Sequence, residues 1–235
     1  MMKQDPRDTQ GGGSGGHSPA IWLYPKEEMD AEITLKFHGA GFMTSSVPSY
    51  CDKWRIHVNP SPPFQRYSST YVDDAWQPYL DYDGFRAGEF QREAGWCIAQ
   101  RHLIDWQHSH LKEIGFTEKE IDDVNYSYGR MLLSRQYKEE FFAIYPQEIA
   151  AVDASVSLTV VPKPDSIYRL WLYFVPVAKK IADLRAPHLK PIAREGFSVI
   201  ELAYLTDREI PTGMPGPGPQ SPPRPRCMLA HRAGR

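Results

Sequence analysis

The residues best suited to chemistry in this chain are acids set among aromatics. Between Ser69 and Phe85, Asp73, Asp74, Asp81 and Asp83 are interspersed with Trp76, Tyr79, Tyr82 and Phe85. Two carboxylates flanking a sugar ring, one protonated and one ionised, are what glycoside hydrolysis requires. Acids beside aromatic faces equally describe a surface that holds a ligand without breaking a bond. A second group lies in "VVPKPDSIYRL" and "REGFSVIEL", where Asp165, Arg169 and Glu201 border two apolar runs. An arginine among apolar neighbours needs an acid partner, and Glu201 or Glu195 can supply one. Such a cluster either grips a ligand or pins two strands together.

Other chemistries find less support. "RHLIDWQHSHLKE" holds His102, Asp105, His108 and His110. His102–Asp105 and Asp105–His108 have helical i, i+3 spacing. His108 and His110 diverge on a helix, and His102 and His108 share no face. The run reads as a solvated polar face, and no metal site is expected. There is no G-x-S-x-G, no Walker loop, no G-x-G-x-x-G after a strand and no H-E-x-x-H. Cys51, Cys97 and Cys227 are odd in number and widely spaced, so neither a disulfide framework nor a cysteine zinc site is expected. Cys97, beside Trp96, reads as a small buried hydrophobe. No catalytic residue and no cofactor is assigned.

Charge and hydropathy narrow the partners. Lys and Arg number 27 against 29 Asp and Glu, a net charge of −2, so no nucleic-acid footprint is expected. Protein or carbohydrate remains as partner. No apolar run reaches the length of a membrane span. The first twenty residues carry no apolar h-region, and the expectation is a soluble, cytoplasmic chain with reduced cysteines.

The elements that must position these groups follow from periodicity. Residues 1–18, with "GGGSGG", and 209–235, rich in Pro and Arg, lack the apolar content to order themselves and are expected to be disordered tails. Residues 19–208 then form one domain. "AEITLKF", "WRIHV" and "SVSLTVV" alternate apolar and polar residues, the mark of half-buried strands. "EEFFAIYP" and "FSVIELAYL" are further strands, and "SIYRLWLYFVPV" is apolar on both faces, as a central strand would be. "DG" at Asp83–Gly84 signals a hairpin. "PKPDS" reads as a hairpin-like connection, with Pro162 and Pro164 ending the ladder and Asp165 and Ser166 bonding the local backbone. Between the two groups of strands the period changes to that of a helix. Leu103, Trp106, His110, Leu111 and Ile114 lie on one face, Gly115 stands at a C-cap, and Thr117 with Glu120 forms a capping box for a second helix.

Five segments, in this order, carry a likeness: "AIWLYP", "GWCI", "LKEIGFTEKEIDD", "PKPDSIYRL" and "REGFSVIE". Together they resemble a largely uncharacterised, mostly bacterial protein group. Its members open on an "IYLYP"-like strand and carry "GW", a helix pair, "PKPD…R" and "R-x-G-F". The likeness covers most of residues 20–201, although Leu202 stands where the group has Trp. It implies a β-rich fold with one inserted helix pair and brings no catalytic residue with it.

The sequence therefore predicts an α+β domain, mainly an antiparallel, sandwich-like β-sheet, with an αα-hairpin inserted near 99–134. It favours a non-catalytic binding or assembly domain. The candidate ligand contacts are Trp76, Tyr79, Tyr82, Asp165, Arg169 and Glu201. The alternative is a hydrolase using acids of the 73–85 segment or the Asp165/Arg169/Glu201 cluster.

Overall fold

The computed structural model describes residues 14–60, 69–72, 75–77, 79–125 and 137–206. Their arrangement is α+β and rich in mostly antiparallel sheet. Alternation of apolar residues makes β2 (Met29–Phe37) and β4 (Trp54–Asn59) one-sided, with Ala31, Ile33, Leu35, Trp54, Ile56 and Val58 buried. With β5 (Ser69–Val72), β6 (Ala75–Gln77) and β10 (Val156–Val161) they form a five-stranded sheet of order β10-β2-β4-β5-β6.

A second sheet, of seven strands, stands against it. It contains β1 (Ser14–Tyr24), β3 (Phe42–Val47), β7 (Leu80–Arg86), β8 (Trp96–Ala99), β9 (Phe141–Gln147), β11 (Ser166–Val177) and β12 (Ser198–Thr206). The order is β3-β7-β1-β12-β11-β9-β8. Among its described pairings, β11–β12 alone is parallel. One face meets the five-stranded sheet through Ile21, Leu80, Tyr82, Tyr145, Trp171, Tyr173 and Val199. The other face is covered by α1 (Leu103–Ile114) and α2 (Glu118–Val124), whose Leu103, Trp106, Leu111, Ile121 and Val124 pack on Trp22, Phe142, Leu172, Phe174, Ile200 and Tyr204. Covered on both faces, β12 is buried along its whole length, which is why it and β11 read as apolar runs. Pro146 and Pro176 stand in the β9–β11 ladder, opposite Leu172 and Phe142, but neither is paired on its other side. Pro146 of β9 lies beyond the end of its pairing with β8, and Pro176 of β11 beyond that with β12.

The inserted helix pair has the expected caps. Gly115 takes φ +109° at the end of α1, and its N–H donates to Leu111 and Lys112 carbonyls. Thr117 accepts from Glu120 N, while Glu120 Oε2 accepts from Thr117 N at 2.7 Å. A short third helix, α3 (Ile149–Ser155), leads into β10 and was not foreseen.

Four local expectations change. "PKPDS" is no hairpin: β10 pairs with β2 in one sheet and β11 with β9 and β12 in the other, so the segment crosses between the layers. Asp165 and Ser166 bond not to the local backbone but across to 193–198, with Asp165 Oδ2 accepting from Phe197 N at 2.7 Å. Asp83–Gly84 lies within β7, where β3 passes so close that a Cβ on Gly84 would overlap the Phe42 carbonyl. Cys51 is disulfide-bonded, against the expectation of reduced cysteines, and Cys97 is free. β1 begins at Ser14 and pairs there with β7 and β12. The second tail, 209–235, lies outside the described residues. No helix among those described is long and apolar enough to cross a membrane.

Candidate functional site

Residue parity on the strands turns a set of charged side chains into the space between the sheets. On β11, Arg169 shares the inward face with Trp171 and Tyr173; on β12, Glu201 shares it with Val199 and Ala203. Arg169 and Glu201 are direct neighbours in the parallel register, and Arg169 Nε donates to Glu201 Oε2. Arg169 Nη1 donates to Asp153 Oδ1 at 2.5 Å and to the Val156 carbonyl at 2.8 Å. Tyr82, inward on β7, donates from its hydroxyl to Glu201 Oε1 at 2.6 Å. Glu201 and Tyr82 are fully buried, while Asp153 is half exposed. Burial, and then the charge of Glu201, push the Tyr82 pKa well above that of a free phenol, so it remains a donor. Burial opposes the Arg169 charge, but Glu201 and Asp153 outweigh it and hold its pKa above the ordinary arginine value.

Arg86, also inward on β7, completes the cluster. It is 0% exposed. Its guanidinium lies 5.3 Å from the Tyr82 ring centroid and 5.4 Å from that of Trp171, and Arg169 lies 5.7 Å from the same indole. The acceptors of Arg86 are backbone carbonyls, Gly84 at 2.9 Å and Tyr82 at 3.4 Å. Four buried polar atoms here have no partner: Arg86 Nε, Arg169 Nη2, Trp171 Nε1 and Ser155 Oγ. The segment 87–95 runs over this end of the sheet. Phe90 packs against Trp171 and Tyr173, and a Cβ on Gly88 would sit 3.9 Å from Ser155 Oγ. Reciprocal bonds pin the segment: Gln91 N donates to Gln147 Oε1 at 2.8 Å, and Gln147 Nε2 to the Gln91 carbonyl at 3.2 Å.

A second buried carboxylate serves the helix layer. Glu120 of α2 is fully buried and accepts from the Tyr24 hydroxyl, from Thr117 N and from Arg194 Nη2 at 2.6 Å. Arg194 also donates to the Gly115 carbonyl at 3.1 Å and stacks 5.0 Å from the Tyr24 ring centroid. The "R-x-G-F" segment thus clasps the turn between the two helices. Gly196, at φ +63°, has no room for a Cβ because the Asp165 carboxylate occupies that space.

The expected ligand residues do not share one surface. Arg169 and Glu201 meet as anticipated, joined by Asp153, Tyr82 and Arg86. Asp165 stays apart, committed to Phe197. Tyr82 is in the sandwich interior, whereas Tyr79 is half-buried and packs 5.8 Å from Trp22 on the helical side. Trp76 lies on β6, with its side chain outside the description. Asp81 and Asp83 are half-buried on β7, with opposite parity to Tyr82, and Asp73 and Asp74 lie outside the described residues. Arg86 was missed by sequence reasoning. The signal was available: in "LDYDGFR", Arg86 has the parity of Leu80 and Tyr82. The helix histidines disperse, His108 to Glu118 at 2.5 Å and His110 onto the Trp106 and Trp96 rings. Comparison with known proteins gave no match to any family model, curated protein or solved structure.

Proposed function

We propose that this chain is a non-catalytic binding domain and that it takes its ligand at the buried cluster of Arg86, Tyr82, Arg169, Trp171 and Glu201. The observation that carries the reading is the excess of unpartnered donors in that cluster. Each of its carboxylates is already engaged by arginine or tyrosine, so none is placed to act as a general acid or base. Donor atoms without acceptors cost stability when buried, and a ligand carrying acceptor atoms would repay it. Protein and carbohydrate, the partner classes left open by the sequence, both offer such atoms.

Thermal unfolding of the full chain against carboxylates, amides and free sugars tests this, alongside chromogenic glycosides and esters. The expected result is a saturable rise in melting temperature with one ligand class and no turnover. Turnover lost in Glu201→Gln would overturn the reading in favour of a hydrolase.

A further inference from the structure

We infer that the ligand site is an anion site, built to receive one carboxylate group against Arg86. The inference rests on the binding reading above and names its chemistry.

The argument begins with charge. Arg86 and Arg169 bring two positive charges into the sandwich, and Glu201 and Asp153 bring two negative ones. Both acids are spent on Arg169. Among the described residues Arg86 contacts no carboxylate, and its Nε has no acceptor at all. A fully buried guanidinium held by two carbonyls and two aromatic faces is costly to leave unpaired. The groups around it are of one kind. Arg86 Nε, Arg169 Nη2 and Trp171 Nε1 can only donate, and Ser155 Oγ is free to donate. That set repels a cation and offers nothing to the amide of a neutral partner beyond its carbonyl. It suits a carboxylate, which has two oxygens and about four lone-pair sites.

Proximity is fixed by three independent relations. The Trp171 ring centroid is 5.4 Å from the Arg86 guanidinium and 5.7 Å from that of Arg169. Ser155 precedes Val156, whose carbonyl binds Arg169. Gly88, two residues beyond Arg86, abuts the Ser155 side chain. Trp171, Ser155 and Arg86 are closed to solvent, so a ligand would have to pass the segment 87–95 or the half-exposed Asp153 to reach them.

Acetate and formate, with acetamide as the uncharged isostere, are the probes. Each is titrated at constant ionic strength into the full chain, with binding read by thermal unfolding and by line broadening of isotope-labelled acetate. Acetate should raise the melting temperature saturably and acetamide should not. Arg86→Met should weaken acetate at least tenfold, and Trp171→Phe or Ser155→Ala several-fold. Equal binding of acetamide would overturn the anion assignment while leaving a binding domain. Acetate binding that survives Arg86→Met would overturn the location. No response to acetate or formate would overturn the inference, and if sugars or amides still bound, the binding reading would stand without it. Should Arg86→Met fail to fold, unchanged acetate affinity in both Trp171→Phe and Ser155→Ala would overturn the inference.

Discussion

At the residue scale, the sharpest consequence concerns Arg169. Its guanidinium is the main charge partner of a glutamate with no exposure, and removing one member of a buried pair leaves the other uncompensated. Arg169→Met should therefore cost about 3–5 kcal/mol, read as a lowered urea midpoint with an unchanged slope. The double variant Arg169→Met/Glu201→Met should recover much of that loss, because the stranded charge is gone. Equal losses in the single and double variants would mean that the pair holds no charge in need of compensation. Gly196 makes a different case. Alanine there meets both a left-handed backbone, at roughly 1–2 kcal/mol, and the Asp165 carboxylate in the space its Cβ needs. Adding Asp165→Ala to Gly196→Ala should relieve the overlap and leave the backbone strain. A double variant no more stable than Gly196→Ala would show that the carboxylate has room to move aside.

Elements were legible where one face is wet. β2, β4 and β10 alternate because one side faces the other sheet and the other faces solvent, and that period is visible in the letters. The helix pair was legible down to Gly115, Thr117 and Glu120, since caps use few residue types and act locally. What escaped was non-local. Nothing in "PKPDS" says that the strands on either side belong to different sheets, because period and turn chemistry are the same for a hairpin and a crossover. Asp83–Gly84 signals a turn, yet Gly84 lies within a strand where the neighbouring β3 leaves no room for a Cβ. Glu201 was paired with Arg169 from sequence because both interrupt apolar runs, whereas Asp153 entered through an unforeseen seven-residue helix. The helix pair itself is testable. Thr117→Ala should cost about 1 kcal/mol through loss of the cap, and Gly115→Val more, at φ +109°. Glu118 bridges His108 and Lys112 on the exposed surface, where such pairs contribute about 0–1 kcal/mol. Denaturant titration should rank Gly115→Val above Thr117→Ala and Thr117→Ala above Glu118→Ala. A loss in Glu118→Ala matching that of Thr117→Ala would place the bridging pair, not the cap, as the stabiliser of the hairpin.

The whole molecule is three layers sharing one sheet, and that geometry makes the layers thermodynamically dependent on each other. The seven-stranded sheet presents Tyr82 to the sandwich and Tyr24 to the helices. Each hydroxyl donates to a buried glutamate, Glu201 in one layer and Glu120 in the other. Burial, reinforced by the neighbouring carboxylate, raises both phenol pKa values in the folded state. The sign of the linkage follows. A raised folded pKa means that the native state keeps a proton which the unfolded chain releases near pH 10. The stability tied to each tyrosine is thus fully present below pH about 10 and is lost as pH climbs from there toward the folded value. Each such group steepens the fall by about 1.4 kcal/mol per pH unit. Other tyrosines add to the same fall, among them half-buried Tyr168, whose pKa burial pushes up to about 12. The informative quantity is therefore the difference between variants. Tyr82→Phe and Tyr24→Phe should each flatten the decline of unfolding free energy above pH 10 by about 1.4 kcal/mol per unit, and the double variant by twice that. If the layers unfold as one unit, these changes appear in a single transition followed alike by near-UV and far-UV circular dichroism. Separate transitions, with Tyr24→Phe altering only one and Tyr82→Phe only the other, would show that the helix layer can leave the sheet while the sandwich stays closed.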